Sequence, residues 1–195
     1  MKTLVIEREA VKNNIGVIKE RAGEAVIYAV LTGDGQGAGL VELARLLREI
    51  DLHRHADTAG ALAALRRAGF VEEEILMLRP TVDRAELEQL IDLNVVCTVG
   101  SADTGMALNG AAEARSTVVE AHIQIDTGMG FGGFLADEPE KILSVYRNLP
   151  NVAVSGICTQ LHARKKGGED LAARLGQFHR MVEAIPAAGF ETGGV

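Results

Sequence analysis

Three short stretches concentrate the side chains able to do chemistry: HRHAD at 53–57, HIQID at 122–126 and CTQLH at 158–162. In each, polar residues recur at every second position: His53, His55 and Asp57; His122, Gln124 and Asp126; Cys158, Gln160 and His162. On a strand a period of two puts each trio on one face. A thiol with an imidazole is an economical pair for acyl transfer. Histidine takes the thiol proton, the thiolate attacks an acyl carbon, and amide N–H groups stabilise the oxyanion. The same residue types also suit zinc, with His53 and His55 joined by His162, His122 or Asp126 and an open position for water. No dedicated ligand motif such as HExxH is present, so zinc stands only as an alternative and no metal site is assigned. A third use is a polar cavity that binds a small molecule without turnover.

These side chains need a scaffold, and composition bounds it. The chain has 195 residues, 47% of them hydrophobic, with a formal net charge of -7. That length and apolar content predict one soluble globular domain over 1–195. The negative charge, the 4% aromatic content and the absence of tryptophan argue against a nucleic-acid partner. No apolar run is long enough to span a bilayer. Glu7 and Glu9 fall where a secretory segment would be apolar, which predicts a cytoplasmic protein with no membrane partner. Cys97 and Cys158 lie in apolar runs, as reduced core thiols do, and VVCTV around Cys97 reads as ordinary strand.

Element types alternate along the chain. Strand-like runs fall at 26–32, 51–57, 75–81, 95–101, 117–126 and 152–162, with helix-like stretches at 39–50, 58–70, 83–93, 102–114, 137–149 and 167–189. A βα repeat of this kind makes parallel strands covered by helices. Both the doubly wound sheet and the (β/α)8 barrel place ligands at the C-terminal ends of such strands. The stretch VLTGDGQGAG, at 30–39, is such an end, and its four glycines suit a tight strand-to-helix turn.

In the order IEREAVKNNI, VLTGDGQGAG, ELARLLRE, ALAALRRAGF, ILMLRPT, VVCTVGS, HIQIDTGMGFGGF and GICTQLHA, the chain resembles the N-terminal barrel of alanine racemases, the fold-type III pyridoxal phosphate (PLP) enzymes. The resemblance implies an α/β fold, a parallel TIM-type (β/α) barrel with six of eight βα units evident. It also implies a chain that ends where the seventh strand would begin, without the C-terminal β-domain. The open strand edges would then pair with something, including a second copy in a homo-oligomer. Family members resemble this chain with the Schiff-base lysine where Thr32 stands, tyrosine at Gln36, commonly lysine at Gln124, arginine at Phe131 and histidine at Gln160. Threonine cannot form an imine, so the expectation is that PLP is lost, no cofactor remains and racemase activity is absent. Five changes in one pocket read as an engineered or strongly diverged cavity.

If the family's lysine and histidine positions point into the barrel, Thr32, Cys158, Gln160 and His162 share the lumen with His122, Gln124 and Asp126. For the second strand, His53 and His55 are placed inward because Leu52 and Ala56 pack more readily outward. The resulting assignment is a cysteine/histidine ester hydrolase acting on a small-molecule substrate. Cys158 is the nucleophile, His55 the first choice of base, His122 the second, and Gln160 or Gln124 the oxyanion donor. His162 lies roughly 13 Å along the strand from Cys158, too far for direct proton transfer. A binding scaffold, a histidine metal site and a residual PLP-binding role for Lys165 or Lys166 are the alternatives; His179 is assigned to the surface or to core packing.

Overall fold

The computed structural model describes residues 3–52, 55–57, 61–162 and 169–194. The chain divides into two compact units, Met1–Arg79 and Pro80–Val195. The first contains helix α1 (Arg8–Ala22), strand β1 (Ala29–Val30), a short turn α2 (Thr32–Gln36), helix α3 (Leu40–Glu49), β2 (His55–Asp57), α4 (Ala61–Arg67) and β3 (Ile75–Met77). Its three strands are parallel in the order β1-β2-β3, with Ala29 opposite His55 and His55 opposite Ile75.

All three β3 residues are buried, as expected for a strand covered on both faces. Helix α3 buries Leu40, Ala44 and Leu47, which its 3.6-residue period places along one stripe. Arg48 follows that stripe. Its guanidinium lies 3.8 Å from the centroid of the fully buried Phe70 ring and pairs with Glu73 at 2.6 Å. Arg66 donates to the carbonyls of Phe70 and Glu73, so this polar cluster ties α3 and α4 to the approach to β3.

The second unit comprises α5 (Arg84–Asp92), β4 (Cys97–Val99), α6 (Ala102–Ala114), β5 (Val119–Asp126), β6 (Phe134–Leu135), α7 (Pro139–Asn148), β7 (Val152–Thr159) and α8 (Glu169–Ala187). The strands are parallel, and β5 is central, pairing with β4, β6 and β7. Side-chain caps start two helices. Asp83 accepts from Glu86 N before α5, and Ser101 with Thr104 forms a capping box before α6.

Strand β5 sets the two faces of this sheet. Val119, Ala121, Ile123 and Ile125 are buried and alternate with Glu120, His122, Gln124 and Asp126. Val99 stands beside Ile123 in register and meets α6 at Gly105, where an added Cβ would lie 3.2 Å from it. The apolar set therefore faces the helices, and the polar set takes the opposite face.

The elements differ from the sequence expectation in three ways. Helix α1 is an additional element: Val11, Ile15 and Ile18 recur at helical spacing along it, yet none of its residues is buried. The two-residue β6 is too short to carry an alternating pattern. Strand β7 stops at Thr159, so Gln160 and His162 lie beyond the ladder, both exposed, and the face-by-face alternation does not reach them. Among the described residues no helix is long and apolar enough to cross a membrane.

Candidate functional site

The loop after β1 is built on an unusual backbone. Gly33, Asp34 and Gly35 have φ/ψ of 64/44, 56/49 and 64/38, and Gln36 and Gly37 continue with φ of 58 and 84. Gly35 N donates to Leu31 O and Gly37 N to Gly33 O, both at 2.9 Å, so the segment is one turn of left-handed helix. For L-residues that hand costs roughly 1–2 kcal/mol per position, and alternating glycines remove the penalty at most of them. Gly35 has a second constraint: an added Cβ would sit 3.3 Å from Leu43 Cδ2.

Two side chains lock the turn. Asp34 Oδ1 accepts the N–H of Leu40, the first residue of α3, at 2.9 Å. Gln36 Nε2 donates to Thr32 Oγ1 at 3.0 Å and to Thr32 O at 3.2 Å. Thr32, the first residue of α2 and two residues past β1, is half-buried, and Gln36 is exposed.

In the second unit the polar face of β5 ends in a carboxylate held by its own loop. Asp126 Oδ1 accepts the N–H groups of Gly128, Met129 and Gly130 at 2.8, 2.9 and 3.1 Å, and Oδ2 accepts a further bond from Gly130. Burial alone would raise the Asp126 pKa, but these backbone donors, with Arg174 nearby, hold it below the usual carboxylate range. Gly133 closes the loop at φ 120, where a Cβ would meet Asp126 N at 2.8 Å. The Thr127 and Thr159 hydroxyls are 3.1 Å apart, and Thr159 donates to Ile125 O, linking the ends of β5 and β7.

Deeper on the same face, Gln124 stands opposite Cys158 and His122 opposite Gly156. The register shifts between Ala121 and His122, and an ideal Cβ on Gly156 would lie 2.5 Å from His122 Nε2. Glycine is thus what allows the imidazole to lie against β7. Burial lowers the His122 pKa, with Glu120 opposing, which favours the neutral ring. Gln124 is 9% exposed, and its Oε1 has no hydrogen-bond partner.

Of the residues singled out in the sequence, the structure brings together His122, Gln124, Asp126 and Cys158 on one sheet face. Gln160 and His162 are exposed beyond β7, Phe131 is 61% exposed in the glycine loop, and His179 is exposed on α8. His53, Lys165 and Lys166 lie outside the described residues, and only the backbone of His55 is among them. No group of three or more potential metal ligands occurs among the described residues. The side-chain locks at Asp34 and Gln36 escaped the sequence reading. Their signal was two non-glycine residues spaced between glycines, a pattern that demands positive φ at positions where aspartate tolerates it.

Comparison with known proteins gives a consistent picture. The family described as alanine racemase, N-terminal domain, matches residues 6–193. The chain is 30% identical to an alanine racemase of Clostridium novyi over 188 residues, covering 92% of this chain and 47% of that protein. It is 31% identical to one of Clostridium tetani, covering 91% and 45%. Among solved structures, an alanine racemase of Clostridium difficile 630 in complex with cycloserine superposes with a TM-score of 0.87 at 25% identity, covering 95% of this chain and 52% of that one. The chain spans about half the length of the relatives it matches. The fold class is accordingly α/β of the parallel TIM-type (β/α) barrel kind.

These matches correct the hydrolase reading and the expectation that racemase chemistry is foreign to the chain: its relatives are racemases, and none of the comparisons points to a thiol esterase. The geometry agrees. Burial pushes the Cys158 thiol up to about 11, so it is protonated near neutrality, and no hydrogen bond joins it to His122 or His162. Cys97 is no better suited: it faces the helices, and burial, with Glu86 adding to it, pushes its thiol up to about 12. The notion of an engineered cavity is corrected too, because the chain matches natural bacterial racemases along nearly its whole length.

Proposed function

Because the chain belongs to the alanine racemase N-terminal domain family over residues 6–193, we propose that it forms the barrel part of a protein that handles an α-amino acid of alanine's size, with no cofactor covalently held at position 32. The observation that carries this reading is the side chain at the end of β1. Resemblance to PLP enzymes implies a lysine there, whereas Thr32 offers a hydroxyl, and only a primary amine condenses with the aldehyde. Three lysines fall among the described residues. Lys19 donates to the carbonyls of Ile50 and Asp51, Lys141 pairs with Glu138, and Lys12 is exposed on α1. PLP therefore does not fit as an imine-linked group at this turn.

Each unit supplies polar groups of its own at strand ends: in the first, the Thr32 hydroxyl and Gln36 amide at the left-handed turn; in the second, the backbone-bound Asp126 carboxylate and the Thr127–Thr159 hydroxyl pair. Kinship with alanine racemases supports a small amino acid as the ligand.

The test is to incubate the full chain with PLP, reduce with borohydride and measure intact mass and absorbance. The expected result is no stoichiometric pyridoxyl adduct, with Thr32→Lys gaining one together with an imine absorbance band. A stoichiometric pyridoxyl adduct on the unsubstituted chain overturns the reading.

A further inference from the structure

We infer that helix α1 is a strap that opens as a unit while the rest of the first unit stays folded, and that two cationic side chains, Arg8 and Lys19, set how often it opens. The inference is independent of which ligand the protein takes. Most of a helix's stability in a protein comes from an apolar face packed against the fold. Helix α1 lacks that support: none of its 15 residues is buried, Val11 and Ile15 are half-buried, and Val17 and Ile18 are exposed. Helix α3 beside it buries Leu40, Ala44 and Leu47.

What holds α1 is polar, and it converges on one place. Arg8 Nη1 lies 2.9 Å from Glu49 Oε2, on the last residue of α3, and both side chains are more than half exposed. Lys19 Nζ donates to the carbonyls of the next two residues, Ile50 and Asp51, at 3.2 and 2.9 Å, and lies 3.9 Å from the Asp51 carboxylate. Among the described residues no other α1 side chain makes a hydrogen bond or ion pair. Both cations sit at the C-terminal end of α3, where orphan carbonyls and the helix dipole favour them, but water and salt reach these contacts and weaken them. A cleft of about 390 Å³ lies at the same place, lined by Lys19, Gly23, Val26 and the buried Leu52, so the end of α1 has no packing beneath it. The link to β1 suits a hinge. Gly23 has φ 61 and ψ -120, which the lack of a Cβ permits, and residues 25–28 belong to no helix or strand. Opening α1 therefore breaks two polar ties and uncovers little apolar surface, whereas opening α3 exposes buried side chains. It also takes the cation from the α3 carbonyls and removes one wall of the cleft.

The test is native-state hydrogen exchange of the full chain, read by mass spectrometry on peptides from α1 and from β3, whose three residues are all buried. The α1 amides should exchange more slowly than an unfolded chain but roughly a hundredfold or more faster than those of β3. Lys19→Met keeps the apolar stem and removes the ammonium; it should speed α1 by about threefold to tenfold and leave β3 unchanged. Raising salt to about 1 M, where the Debye length is near 3 Å, should speed α1 in the same selective way. Arg8→Gln, changed at an exposed side chain, should act in the same direction and keeps the test open if Lys19→Met fails to fold. Protection of α1 equal to that of β3 overturns the inference, as does a variant that speeds both alike, because the helix then opens only with the whole unit. Exchange of α1 at the unfolded-chain rate, or no response of α1 to either substitution, overturns it too.

Discussion

Asp34 Oδ1 accepts the backbone N–H of Leu40 at 2.9 Å, so an aspartate in a left-handed turn caps the helix that begins six residues later. The bond satisfies one of the orphan donors at the start of α3, and it fixes where that helix leaves the turn. Asp34→Ala should cost about 1–2 kcal/mol of unfolding free energy, from the lost cap and from alanine's poorer tolerance of positive φ. Asp34→Asn, which keeps an acceptor oxygen and accepts that backbone, should lose less than half as much. Urea denaturation of the three proteins measures both.

Arg48 and Glu73 form the most buried ion pair among the described residues, with Glu73 side-chain exposure of 8% against 36% for Arg48. Removing one partner strands the other. Arg48→Ala should therefore cost about 2–4 kcal/mol, discounted for the exposure of the arginine, and part of that loss comes from its stacking on Phe70. The double variant Arg48→Ala with Glu73→Gln should fall short of the sum of the single losses in a denaturant double-mutant cycle.

Gly156 lies against the His122 ring with no room for a Cβ. Gly156→Ala should destabilise the second unit by about 1–3 kcal/mol through displacement of the imidazole or of β7. Pairing it with His122→Ala should recover part of the loss, since the ring is what the new methyl meets. Thermal unfolding of the single and double variants distinguishes this from a general effect on the strand.

The pH dependence of stability follows from two depressed pKa values. His122 is held below its usual pKa by burial, with Glu120 opposing, so the unfolded chain takes up its proton first. Stability contributed by the neutral ring is then present above the unfolded value of about 6.5 and declines as pH falls below it. Asp126, lowered against the effect of burial by its backbone donors, contributes stability above the unfolded value of about 3.9, lost as pH falls through its folded pKa. His122→Gln should flatten the first decline and Asp126→Asn the second, read from chemical denaturation at a series of pH values.

Cys158 has its thiol pushed up to about 11 by burial, which predicts slow alkylation of the native protein at neutral pH. Iodoacetamide labelling followed by mass spectrometry should modify it far faster in denaturant than in buffer. Cys158→Ala should leave binding of alanine unchanged.

The strand positions were legible because alternation in HIQID and the βα repeat follow from backbone geometry alone, and the family followed from ordered motifs such as IDTGMG. The need for glycine after β1 was legible for the same reason: only glycine accepts positive φ freely. The hand of that turn, and the locks at Asp34 and Gln36, depend on which acceptors come within reach once the chain has curled. Helix α1 escaped notice although Val11, Ile15 and Ile18 follow a helical period, because the reading began from the βα repeat and this helix precedes its first strand. The hydrolase assignment failed for a different reason. Residue type named Cys158 a nucleophile and His122 a base, but the charge state of each is set by desolvation, and desolvation is a property of packing. Sequence thus determined which groups stand on which strand and to which family they belong. Tertiary structure decided which of them are ionised and which are paired, because both depend on the burial and the neighbours that packing alone creates.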